Sequence, residues 1–299
     1  MVKPNFFIVG APKSGTTAIY DYLKEHPDVF FYMKEVCYFC SDLTMRTPHL
    51  TEDVYMGYYK NATTQKIVAD GYVFHLVSQE SAKEIKKFNP EAKVLIMLRN
   101  PVEMLYSLHQ NHVFNGDELV EDFEKALHTP LAQRVSPFYR CPLESLDYSI
   151  MGKYYEQVLR YKSVFSEDKL HIILFDDFKA DTKGEYLELL KFLGLEAFMP
   201  GSFAVVNPNK LPRSKTYLKF LLNPPGFIKA LGRFLFPHHT MRREWMIDRL
   251  WNLNEKRTQR KPLSIETRKQ IIAMYKDDIE KLGKLLNRDL SNWLQTENG

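Results

Sequence analysis

The sequence predicts an α/β fold in which a parallel sheet is flanked by helices. Three observations carry this reading. Short, uninterrupted apolar runs, Phe6-Phe7-Ile8-Val9, Val94-Leu95-Ile96-Met97-Leu98 and His171-Ile172-Ile173-Leu174-Phe175, stand far apart in the chain, as strands buried on both faces do. Helical periodicity fills the intervals between them. The 299 residues are 44% hydrophobic and 26% charged, enough apolar surface for a sizeable core and too much for a disordered chain.

Each element follows in order. Residues 6–9 read as the first buried strand, broken by Gly10-Ala11-Pro12-Lys13-Ser14-Gly15. From Thr16 the pattern turns helical, with Ala18, Ile19, Tyr22 and Leu23 on one face, and it stops at His26-Pro27, since a residue before proline is pushed out of the α region. A short strand is expected at Ile67-Val68-Ala69. The strand at 94–98 ends in Arg99-Asn100-Pro101, and Pro101 suits the first turn of the next helix, which carries Met104, Leu105, Leu108 and His112. A helix over about 152–165 precedes the strand at 171–175. The last helix places Ile271, Ile272, Tyr275, Ile279, Leu282, Leu285 and Leu286 at three- and four-residue spacing, and Leu290, Trp293 and Leu294 pack back. The chain reads as one domain, 1–299, with an irregular basic lid over residues 200–262.

Charge is uneven. The net is +4, yet residues 207–262 hold 13 Lys or Arg against three acids, Glu244, Asp248 and Glu255, leaving the remainder near −6. Such a segment suits an anionic ligand or a membrane surface, or is simply a solvated basic face. No run approaches 18 apolar residues, so no membrane-spanning helix is expected, and the run after Met1 is too short for a signal-peptide core. Three cysteines, Cys37, Cys40 and Cys141, cannot form a disulfide framework, and a reducing, cytoplasmic location is the simplest reading. Cys37-x-x-Cys40 reads as structural, because no second cysteine pair completes a zinc site. His238-His239 reads as surface or lid.

Gly10 to Thr17 is a phosphate-type loop: strand end, glycine turn and helix N-terminus aim backbone N–H groups and the positive helix end at one spot. The triphosphatase form needs Gly-x4-Gly-Lys-Ser/Thr. Gly10 and Gly15 keep that spacing, but Thr16 takes the lysine's place and the only lysine, Lys13, lies inside the loop. The strand that should supply a magnesium-holding acid ends in Arg99-Asn100 instead, a cation suited to a second anionic group. A P-loop kinase or NTPase is therefore kept only as an alternative, beside a basic, membrane-associated non-catalytic module. That module would use Phe220, Leu221, Leu222, Phe227, Ile228, Leu231, Phe234, Leu235 and Phe236 interspersed with Lys219, Lys229 and Arg233.

Pro12-Lys13-Ser14-Gly15-Thr16-Thr17 resembles the 5′-phosphosulfate loop of PAPS-dependent sulfotransferases. Leu98-Arg99-Asn100-Pro101 with Ser107 is similar to their 3′-phosphate site. Lys34-Glu35 followed by Tyr38-Phe39 resembles the Lys-Glu-x-x-Phe-Phe stretch of the heparan-sulfate and bacterial branch. The segments Ser149 to Tyr154, Phe175-Asp176-Asp177-Phe178, Asn207 to Ser214 and Leu290 to Leu294 follow in family order. The resemblance implies PAPS as sulfuryl donor, PAP as product, no divalent metal and no nucleic-acid partner. Pro12, Lys13, Ser14, Gly15, Thr16, Thr17, Arg99 and Ser107 are then the donor-binding residues. The late cofactor loop departs from the family form; Lys210, Arg213 and Lys215 offer replacements, with Arg213 first.

Sulfuryl transfer needs a deprotonated acceptor and a stabilised leaving phosphate. Lys13 is expected to compensate charge on PAP, and Glu35 matches the family's catalytic base. His75, before the 3′-phosphate strand, is the rival base. Ala69-Asp70-Gly71-Tyr72 departs from the Lys-x-Pro or Ser-Pro turn of heparan-type members. Between Phe30 and His75 stand four Lys or Arg against five acids, with Tyr32, Tyr38, Phe39, Tyr55, Tyr58, Tyr59, Tyr72 and Phe74. A polyanion groove should be rich in cations. This stretch favours a small neutral or cationic acceptor of a secondary-metabolite pathway, sulfated on a hydroxyl or an amine.

Overall fold

The structure, a computed structural model, describes residues 2–203, 210–228, 249–250, 253–257 and 261–296. Five parallel strands, β1 (Phe6–Gly10), β2 (Val29–Phe31), β3 (Ile67–Gly71), β4 (Lys93–Leu98) and β5 (Leu170–Leu174), form one sheet in the order β2-β3-β1-β4-β5. The expected strands are all present. The sequence reading passed over β2, which is only three residues long. Phe175, assigned to the third apolar strand, instead opens a helix.

The helices are α1 (Thr16–Lys24), α2 (Glu52–Gly57), α3 (Ser81–Phe88), α4 (Pro101–Asn115), α5 (Phe123–His128), α6 (Leu131–Arg134), α7 (Tyr148–Met151), α8 (Tyr154–Val164), α9 (Phe175–Ala180), α10 (Thr182–Leu193), α11 (Lys215–Leu222) and α12 (Ile265–Leu286). The chain divides into two compact units. The first holds residues 1–106, 142–206 and 263–299; the second holds 107–141 and 207–262.

In the first unit, alternation along the strands sends Phe6 and Ile8 of β1, Ala69 of β3, Leu95 and Met97 of β4 and Ile173 of β5 to one face. There they meet Ile19 and Leu23 of α1 and Tyr186, Leu189 and Leu190 of α10, all buried. The opposite residues, Phe7, Val68, Val94 and Ile96, are buried as well, which is why each strand reads as a continuous apolar run rather than an alternating one. Ser264 caps α12 by accepting the Thr267 N–H (3.2 Å), and Asn287 ends it at φ 52°. The chain then turns back: Trp293 Nε1 donates to Asp176 Oδ2 (2.8 Å) and Arg288 pairs with Asp177 at 2.7 Å. Two of the motif segments noted in the sequence thus brace each other.

Cys37 and Cys40 are joined as a disulfide, Cα–Cα 6.2 Å, a local bridge rather than a framework. Cys141 is free. Among the described residues no helix is long and apolar enough to cross a membrane.

The second unit contains α5, α6, α11 and a two-stranded antiparallel ribbon of β6 (Lys210–Pro212) and β7 (Glu255–Arg257). Asn254 joins the ribbon's flanks, accepting the Arg213 N–H through its carbonyl (2.7 Å) and the Ser214 N–H through its side chain (2.8 Å). Buried Arg134 and Glu118 form an ion pair at 2.5 Å. Asn207-Pro208-Asn209, Lys229, Leu231, Arg233, Phe234 to Phe236 and His238-His239 lie outside the described residues. Of the segment singled out for a membrane surface, Phe220 and Phe227 are exposed while Leu218 is buried.

Candidate functional site

All five strands point the same way, so their carboxyl ends share one edge of the sheet. β1 lies between β3 and β4, and successive connections leave it in opposite directions. Ligands bind at such a switch point, outside the strand carboxyl ends. Three loops meet there: 10–17 after β1, 32–36 after β2, and 71–76 after β3; Arg99 follows β4.

Gly10 leaves no room for a side chain, since a Cβ would come 2.6 Å from Leu76 Cβ and 2.9 Å from the Val73 carbonyl. The loop is pinned from beneath by the Ala11 N–H, which donates to the Met97 carbonyl (2.6 Å). Lys13 takes φ 59°, and Gly15 takes φ 94° at the N-cap of α1, where no described side chain caps the helix. The amide end of α1 therefore faces the loop, the arrangement that holds anionic oxygens. Pro12 and Ser14 are buried in the loop, with Ser14 Oγ donating to the Pro12 carbonyl (3.3 Å). Thr16 and Thr17 present hydroxyls at the helix start.

The cation missing from position 16 arrives from the neighbouring loop. Lys34 Nζ, 13% exposed, lies 3.1 Å from Thr16 Oγ1, 2.7 Å from Thr17 Oγ1 and 3.3 Å from Glu35 Oε1. Sequence reasoning quoted Lys34 within the Lys-Glu motif and gave it no role. The signal was available: once Thr16 replaces the loop lysine, a charge must be supplied from another strand end.

Glu35 sits at φ 70°, an uncommon conformation for a residue with a side chain. It is held by its own N–H donating to the Gly71 carbonyl (2.6 Å) and by Oε2 accepting the Val73 N–H (3.3 Å). Its side chain is 42% exposed, so the carboxylate is fixed yet open to solvent. His75 is the opposite case: 1% exposed, with no described group bonded to either ring nitrogen. Burial pulls its pKa down to about 3, so it is a neutral ring packed against Tyr72 and Phe39 (centroids 5.1 and 6.1 Å).

Arg99 Nη1 donates to the Lys13 carbonyl (3.0 Å), and its guanidinium lies 4.6 Å from the Phe175 ring centre. The strand-end arginine is thereby joined to the phosphate-type loop. Ser107, on α4 and 5% exposed, and Arg213, exposed beside β6, both belong to the second unit.

The aromatic stretch is chiefly core. Tyr55 and Tyr59 are fully buried, Phe39, Tyr72 and Phe74 are buried, and Tyr38 stacks on Tyr55 at 4.2 Å. Tyr32 and Tyr58, stacked at 4.5 Å, form an accessible pair, with Tyr32 exposed. Asp70 is buried: Tyr55 donates to its Oδ2 (2.7 Å) and the Gly71 N–H to its Oδ1 (2.7 Å). Burial outweighs those bonds and pushes its pKa up to about 7. The Asp70-Gly71 departure is thus a buried brace behind Glu35, and Asp70 is not a groove carboxylate.

A parallel sheet with a phosphate-type loop at its switch point, touched by Lys34 and Arg99, defines an α/β protein with an anion-type site. The sulfotransferase domain family matches residues 3–203, and the chain belongs to that family, whose reaction is sulfuryl transfer. It is 24% identical over 98% of its length to the mouse bifunctional heparan sulfate N-deacetylase/N-sulfotransferase 4, covering 31% of that protein. It is 24% identical over 79% of its length to mouse carbohydrate sulfotransferase 15, covering 52% of it. The chain thus spans between about a third and a half of the length of these relatives. The crystal structure of a sulfotransferase from Alicyclobacillus acidocaldarius superposes with a TM-score of 0.71 at 25% identity, covering 99% of this chain and 100% of that one.

Proposed function

We propose that the protein transfers the sulfuryl group of PAPS to a hydroxyl or amine of a small acceptor, releasing PAP. The observation that carries this reading is Lys34 seated on the Thr16 and Thr17 hydroxyls with Glu35 at its side. A donor-holding cation and an accessible carboxylate then stand within one residue of each other. The loop of residues 12–17 holds the 5′-phosphosulfate on the α1 amides and the Thr hydroxyls. Arg99 takes the 3′-phosphate.

In the transfer, Glu35 accepts the acceptor's proton as the new bond to sulfur forms. The bond from sulfur to the bridging oxygen breaks, and its electron pair stays on the phosphate of PAP. Lys13 and Lys34 compensate that charge. The transferred group carries less charge than a phosphoryl group, so side-chain cations are sufficient partners. The stacked Tyr32 and Tyr58 faces suit a flat or cationic acceptor.

Thermal unfolding with PAP and with AMP tests the donor assignment. Ligand binding to the folded state alone raises Tm, and PAP should raise it well beyond AMP in wild type. Arg99→Ala should abolish that difference. Equal shifts in wild type overturn the 3′-phosphate site. For the acceptor, turnover of a small neutral or cationic compound should persist in excess heparin; saturable inhibition by heparin sinks the small-acceptor reading.

A further inference from the structure

The last turn of α4 and the loop after it bring together three side chains that sulfuryl transfer does not use. His112 Nδ1 lies 3.5 Å from Asp117 Oδ2 and 3.6 Å from Cys141 Sγ, and the three ligand atoms all fall within 4.8 Å of one another. His112 and Asp117 are 2% and 1% exposed, whereas Cys141 is half-buried. All three belong to the second unit.

The backbone builds this cluster independently of the three side chains. Gly116, at φ 74°, turns the chain at the helix end. The N–H groups of Asp117 and Glu118 then both donate to the His112 carbonyl (2.9 and 3.3 Å). Asp117 Oδ1 accepts the Arg140 N–H (2.8 Å), which leaves Oδ2 turned to His112 and sets Cys141, the next residue, alongside. The Ser136 N–H donates to the Asp117 carbonyl (2.8 Å) and closes the loop. A carboxylate oriented by a backbone N–H is the support that metal-ligating carboxylates use.

We propose that His112, Asp117 and Cys141 form a zinc-type metal site that clips the end of α4 to the 136–141 segment. Zinc takes imidazole at about 2.0–2.1 Å, thiolate at about 2.3 Å and carboxylate at about 2.0–2.2 Å in a tetrahedron. Those bond lengths require ligand–ligand edges of about 3.4–3.6 Å, and the His112–Asp117 and His112–Cys141 edges already have that length. Thiolate, imidazole and carboxylate together favour zinc over the oxygen-seeking magnesium or calcium. The half-buried Cys141 side gives entry and leaves the fourth position to water. On binding, the metal takes the imidazole in its neutral form and the cysteine as thiolate, and the protons these two groups carry without metal leave for the buffer. The site then carries one thiolate and one carboxylate against a divalent cation and is neutral.

Cobalt(II) titration of the full chain, stripped with a chelator and monitored in the near-ultraviolet and visible, tests this. One equivalent should produce a thiolate-to-cobalt charge-transfer band and the visible bands of a tetrahedral site, and zinc should bleach both. Zinc should also raise Tm, with net proton release when calorimetry is repeated in buffers of different ionisation enthalpy. Cys141→Ser should remove the charge-transfer band and weaken binding at least tenfold, whereas the double variant Cys37→Ser, Cys40→Ser should keep the band. Absence of the band from wild type, or its survival in Cys141→Ser, overturns the proposal. The wild-type spectrum decides the matter even where a variant folds poorly.

Discussion

Lys34 Nζ stands 2.7 Å from Thr17 Oγ1, although Lys34 lies on the loop after β2 and Thr17 in the first turn of α1. The same ammonium is 3.3 Å from Glu35. The phosphate-type loop and the candidate base are thus tied through one side chain, and a change in either is expected to be felt by the other.

Lys34→Ala should therefore weaken PAP binding by about 10–100-fold, the scale of one or two charge-assisted hydrogen bonds, and lower kcat/KM at least as much. Lys34→Arg should recover part of the affinity, because charge is kept while the geometry changes. PAP calorimetry and steady-state kinetics read both. Unchanged PAP affinity in Lys34→Ala removes Lys34 from the donor site.

Glu35→Gln should lower turnover by about 10²–10⁴-fold, the usual contribution of a general base, with little loss of PAP affinity. His75→Leu should leave turnover intact and should not lower Tm, since it replaces a buried ring whose nitrogens find no described partner. A folded His75→Leu protein without activity would reverse the assignment of the base.

Asp70 gives a stability signature in pH. Its folded pKa, about 7, stands above the unfolded carboxylate value of about 3.9. Between these the folded state binds more protons, so stability falls as pH rises through the window, with a slope approaching about 1.4 kcal/mol per unit. Asp70→Asn, whose Oδ1 can still accept the Gly71 N–H while its Nδ2 donates to the Tyr55 hydroxyl oxygen, removes the charge and should flatten that slope. Urea unfolding at pH 4, 5.5 and 7 measures it, and identical slopes in both proteins refute the assignment.

Gly15→Ala should destabilise by about 1–2 kcal/mol, the cost of a left-handed conformation for a residue with a Cβ. The added carbon would also press on Met97 Cε and Phe175 Cδ2, both 3.2 Å away. Donor affinity should fall with it, because the N-cap of α1 forms the loop. Thermal unfolding and PAP calorimetry check both effects.

Much of this was legible in the chain. Buried strands of a parallel sheet announce themselves as short apolar runs, and the loop of residues 10–17 is contiguous, so its glycines, hydroxyls and helix start appear in a single stretch. Arg99 could be placed at a strand end because Pro101 marks where the following helix begins.

What the chain order could not supply was decided by the pairing of β1 with β3 and of β3 with β2. Parallel pairing brings the carboxyl ends of distant segments to one edge, and this alone puts Lys34 on the Thr hydroxyls and the Glu35 N–H on Gly71. The fate of the tyrosines and of Asp70 was equally hidden. Residue type says that an aromatic or a carboxylate is present, but its burial depends on which face of the sheet and which helix it meets. Tyr55 and Asp70, fifteen positions apart in the chain, became a buried hydrogen-bonded pair only when α2 came to lie against the end of β3.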